Sequence, residues 1–125
     1  MNYSELSRFL SGQIPVNIFL KNIKNEVNTY KKNYAKSGSS VPIILEGNIS
    51  SFTVGKETIF KLCNLYISST ISKWHIYYIC DALLLSDNTI FLNEKTKETI
   101  ESMTDPEING ELTQDRAKKI LTTLY

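Results

Sequence analysis

Between Lys73 and Leu85 the sequence leaves no polar face on which a helix could meet water: Trp74, Ile76, Tyr77, Tyr78, Ile79, Ala82, Leu83, Leu84 and Leu85 fill almost every turn. A helix that is apolar all round has to be enclosed on all sides. It falls short of the roughly 18 residues that a membrane crossing requires, so the enclosure has to come from the rest of the chain. The remaining segments should therefore be amphipathic helices wrapped around this one. On this reading Leu84→Asp should unfold the domain by burying an unpaired charge.

The flanking sequence supplies such helices. Tyr3, Leu6, Phe9 and Leu10 share one face of a helix over 3–10, which Ser11-Gly12 stops. A second helix starts at Pro15, where a missing N–H costs nothing in the first turn. Its apolar residues Val16, Leu20, Ile23, Val27, Tyr30 and Tyr34 recur at spacings of four and three, with Lys21, Lys24, Lys31 and Lys32 on the other side. Lys56–Ile67 reads as a third helix, and Ser72 is placed to cap the apolar one. Asn93 can cap a helix that runs to about Met103. Asp105-Pro106-Glu107 reads as a tight turn, Asn109-Gly110 as residues that tolerate positive φ, and Thr113 as the cap of a last helix, Gln114–Leu124, with Ala117, Ile120, Leu121 and Leu124 inward. Residues 41–54 read as a β-hairpin around Gly47-Asn48, with an irregular loop as the alternative. The fold expected is mainly α: one domain over 1–125, a small bundle of about five to six helices.

There is a weak internal echo. Phe9-Leu10-Ser11-Gly12-Gln13-Ile14 and Tyr66-Ile67-Ser68-Ser69-Thr70-Ile71 each end a helix with an apolar pair, break it with small polar residues and lead into a new helix. Two helix-turn-helix hairpins follow from this.

Composition and motifs narrow the chemistry. Apolar residues make up 42% and charged residues 22% of the 125, an ordinary globular mix. Met1 to Leu10 lacks the basic stretch and apolar run of a leader, so a cytoplasmic protein is expected. Cys63 and Cys80 lie in patterns of buried helix faces and are expected as reduced core thiols. One His and two Cys without ligand spacing do not make a zinc site. Asp81 lies about 120° round the helix from His75, which makes His75 structural and not half of a catalytic pair. The five glycines are isolated, so no phosphate-binding loop forms. Glu94, Glu98 and Glu101 share a helix face, which is more simply solvated than catalytic. A non-enzyme without cofactor, metal or small-molecule substrate is expected.

The formal net charge of +1 conceals an asymmetry. Residues 1–40 carry a net +4, and residues 81–125 carry nine acidic against five basic side chains, a net −4. An acidic surface on a small protein is a natural docking site for a basic one. The alternative is a small helix-turn-helix nucleic-acid-binding regulator or antitoxin, drawn from 56–85. Its second helix, however, offers Lys73 and His75 and then mainly apolar residues where a reader of DNA needs polar ones.

Leu6 to Phe19 resembles the opening helix, Ser-Gly break and second helix of colicin-like immunity proteins. Trp74 to Leu85, Phe91-Leu92 and Asp105-Pro106-Glu107-Ile108-Asn109-Gly110-Glu111-Leu112-Thr113 resemble the closing part of immunity proteins from contact-dependent growth inhibition and related polymorphic toxin systems. The resemblance covers about half the chain and implies a stoichiometric inhibitor that binds the C-terminal domain of a cognate toxin, commonly a nuclease. Because a nuclease surface must be basic to hold phosphates, the partner-binding residues expected are Asp87, Glu94, Glu98, Glu101, Asp105, Glu107 and Glu111. The seam from Val16 to Tyr34 can pack internally or against a second copy, as in a homodimer.

Overall fold

The computed structural model describes residues 1–37 and 51–123. In chain order these are helices α1 (Tyr3–Leu10) and α2 (Val16–Ser37), strand β1 (Phe52–Val54), helices α3 (Lys56–Ile67) and α4 (Lys73–Leu85), strand β2 (Thr89–Phe91), and helices α5 (Glu94–Ser102), α6 (Pro106–Asn109) and α7 (Gln114–Thr123). Among the described residues the fold is mainly α, with one small two-stranded sheet.

The apolar run is the core helix. α2, α3 and α5 all pack on α4, α1 packs on α2, and α7 lies along α3. Ile76, Ile79, Cys80, Ala82 and Leu83 lose all contact with solvent. Tyr30 and Tyr34 of α2 meet Trp74 and Tyr78 of α4 at ring-centroid distances of 5.3 to 6.4 Å, mostly edge to face, the geometry that the ring quadrupoles favour. Phe9 stacks on Phe19 at 4.2 Å and fixes α1 to α2. Enclosure stops two residues before the end of α4, however. Leu84 is half-buried and Leu85 is 56% exposed, just before α4 ends and the chain leaves the helix at Ser86. Leu83, not Leu84, is thus the position at which a charge has no route to water.

The sheet joins distant parts of the chain. β1 and β2 run parallel, with Phe52 opposite Thr89, Thr53 opposite Ile90 and Val54 opposite Phe91. Parallel strands need a long crossover, here supplied by α3 and α4. Tyr3 adds a hydroxyl contact to Thr89 at 2.7 Å and ties α1 to the same edge. Of the hairpin expected over 41–54, residues 41–50 lie outside the described residues. Phe52–Val54 is a strand, and its partner β2 comes from Thr89–Phe91, far along the chain. Leu124, expected in the stripe of the last helix, also lies outside the described residues.

The internal echo is reproduced in the backbone. After α1, Gln13 N–H bonds to Arg8 O at 2.8 Å and Gly12 N–H to Phe9 O at 3.0 Å; after α3, Thr70 N–H bonds to Leu65 O at 2.9 Å and Ser69 N–H to Tyr66 O at 3.0 Å. Both are Schellman caps. Each puts its pivotal residue in the left-handed region, Gly12 at φ 84° and Ser69 at φ 62°. Only the second has a Cβ there, so Ser69→Gly should raise stability by about 0.5–1 kcal/mol. The urea midpoint is expected to rise, and a fall would mean that the weak 3.4 Å contact from Gln114 Nε2 to Ser69 Oγ matters more than backbone strain.

Cys63 and Cys80 are buried and free. Burial pushes the Cys63 thiol up to about 11 and the Cys80 thiol well above its ordinary range, so neither carries appreciable thiolate at neutral pH. The native protein should leave Ellman's reagent unreacted, and denaturant should release two equivalents. Fast labelling without denaturant would contradict this placement.

Candidate protein-docking face

The acidic half is built outward from a few buried anchors. In α5, Thr96 and Ile100 face the core, and Asn93 Oδ1 caps the helix by accepting from Thr96 N–H and Thr96 Oγ1, both at 2.9 Å. That rotation turns Glu94, Glu98 and Glu101 to solvent.

The segment after α5 is held by long-range hydrogen bonds. Tyr34 Oη donates to Asp105 Oδ1 at 3.1 Å and accepts from Glu107 N–H at 3.3 Å. Burial, the largest influence, helps push this phenol up to about 12. Asn109 Nδ2 donates to the carbonyls of Thr104 at 2.7 Å and Glu101 at 3.0 Å, and Arg116 donates to Ser102 O at 2.6 Å and Gly110 O at 3.1 Å. Tyr77 and Tyr66 hold Leu112 by its N–H at 2.9 Å and its carbonyl at 2.8 Å. Thr113 Oγ1 accepts from Arg116 N–H at 3.1 Å, the expected cap of α7. The expected turn is a one-turn helix, α6. Its left-handed residues are Asp105 at φ 52° and Gly110 at φ 80°; Asn109 lies within the helix and acts through its side chain.

Six of the seven carboxylates expected to bind a partner, Asp87, Glu94, Glu98, Glu101, Glu107 and Glu111, are exposed, while Asp105 is half-buried under Tyr34. Glu101 and Asp105 line one cavity of about 320 Å³ with Leu84, Ile108 and the edge of Asp81. Glu111 does not join them. Its carboxylate is ion-paired with Lys73, at the opposite end of α4 from Leu84 and about 16 Å away along the helix axis. Among the described residues it is the only one of the seven in a salt bridge.

Two features escape a sequence reading. The first is apolar exposure: Leu85, Ile90, Leu92 and Ile108 are 56%, 51%, 64% and 79% exposed. The second is a buried polar lock. Tyr30 Oη donates to Asp81 Oδ2, and Thr104 Oγ1 approaches Asp81 Oδ1 at 2.5 Å. Desolvation raises the Asp81 carboxyl above its ordinary range, against the lowering influence of these two hydroxyls. A lone aspartate within an apolar helix was the available signal, but its partners lie 51 and 23 residues away. His75 is a capping residue, with Nδ1 accepting from Ser72 N–H at 3.0 Å, a bond that requires the neutral ring; burial lowers its pKa accordingly. Among the described residues no group of three His, Cys, Asp or Glu side chains could hold a metal ion, and no helix is long and apolar enough to cross a membrane.

No family model, curated protein or solved structure matches the chain.

Proposed function

We propose that this chain is an immunity protein: a non-catalytic, cytoplasmic inhibitor without cofactor that neutralises a cognate bacterial toxin domain by forming a stoichiometric complex. One observation carries the reading. Among the described residues, four of the five exposed large hydrophobics lie between residues 85 and 108, interleaved with Asp87, Glu94, Glu98, Glu101, Asp105 and Glu107. Exposed apolar side chains and charges in one stretch of chain supply the two ingredients of a protein interface, apolar anchors and a polar rim, and the sign of the charge suits a partner that is basic because it binds nucleic acid. The hydrogen bonds that hold the 101–112 segment add to this, since a surface ordered before binding loses less entropy on docking. α4 is poorly suited to reading DNA, because Ile76 to Leu83 are buried, Lys73 is committed to Glu111 and His75 to its cap.

Reversing Glu98 and Glu101 to lysine should slow association with the toxin domain about tenfold at low salt, with a smaller effect on dissociation. Stopped-flow association against the C-terminal domain of the protein encoded immediately upstream measures this. Both side chains are exposed, so melting should not change. An unaltered association rate at low salt would move the docking face elsewhere.

A further inference from the structure

A second surface, made of other residues, differs in character from the acidic half. α2 and the start of α4 enclose a groove of about 570 Å³, with an apolar floor of Leu20, Val27 and Trp74 and a rim of Lys21, Lys24 and Lys31. Among the described residues none of these three lysines has an ion-pair partner, although the whole chain carries only +1. Three exposed cations beside an apolar trough favour an occupant that brings both carboxylates and an apolar side chain. We propose that this groove takes an acidic peptide segment of a partner protein, seated by an apolar residue against Trp74.

Nucleic acid fits less well. Proteins that hold single strands offer open aromatic faces for base stacking. The Trp74 ring is instead only part-exposed: Lys31 and Lys73 each place an ammonium 6.0 Å from its centroid, and Tyr34 and Tyr77 contact it edge-on at 5.8 and 5.3 Å.

Trp74 is the sole tryptophan of the chain, so its emission reports occupancy directly, without any toxin. The probes are a short peptide of alternating Glu and Leu, the same peptide with Gln for Glu, and oligothymidylate. The acidic peptide should give a saturable change in emission. The Gln peptide, and the Lys21→Glu/Lys24→Glu variant with the acidic peptide, should bind at least about tenfold more weakly. Lys21 and Lys24 are exposed, so the variant should melt like the parent, and Lys21→Gln/Lys24→Gln provides a milder check. Equal binding of the Gln peptide, or no change in emission with the acidic one, would overturn the proposal. So would tighter binding of oligothymidylate, which would make this a phosphate site. Self-association in sedimentation that the variant abolishes would also overturn it, by making a second copy the occupant.

Discussion

Leu83→Asp is expected to leave no cooperatively folded protein. Leu83 sits on α4 with no exposure, between helices that pack on it from several sides, and a carboxylate there has neither a partner nor a path to solvent. An uncompensated buried charge costs several kcal/mol, a large share of the ~5–15 kcal/mol by which a domain is stable. Leu84→Asp, one residue on, should keep a cooperative transition at lower temperature. That side chain is half-buried and borders the cavity beside Glu101 and Ile108, so a carboxylate can rotate toward water. Circular dichroism melts of the two variants test the pair. A Leu83→Asp protein that melts like the parent would show that α4 is not the enclosed centre of the fold.

The second large effect belongs to the docking face. Changing Leu85 and Ile108 together to serine should weaken the toxin complex at least about 100-fold, near 2.7 kcal/mol, because interface energy concentrates in a few apolar anchors. The loss should appear mainly in dissociation, in contrast to the association effect of reversing Glu98 and Glu101. With 56% and 79% of these side chains already in water, stability should hardly change. Unaltered affinity would mean that the apolar exposure at the end of α4 and in α6 has no part in binding.

Local chemistry was readable in the sequence wherever it depended on residues a few positions apart. The bounds of α1, α3 and α4 follow from apolar spacing at the helical period. The outward direction of Glu94, Glu98 and Glu101 follows from the inward pull of Thr96 and Ile100. What could not be read depended on the path of the whole chain. Phe52–Val54 pairs with Thr89–Phe91 only because α3 and α4 bring the two together. Glu111 is taken out of the acidic set by Lys73, 38 residues earlier. Leu84 and Leu85 continue the apolar pattern of α4 without interruption, yet one is half-buried and the other exposed. The lock among Tyr30, Asp81 and Thr104 joins α2 to α4 and to the turn after α5, three places with no shared local pattern.

The most direct test of the inhibitor reading is growth rescue. The C-terminal domain of the protein encoded immediately upstream would be induced with and without this chain, and the pair purified together. The immunity reading predicts arrest by the toxin domain alone, rescue on co-expression and a 1:1 complex that survives chromatography. Arrest without rescue, and no complex, would contradict it.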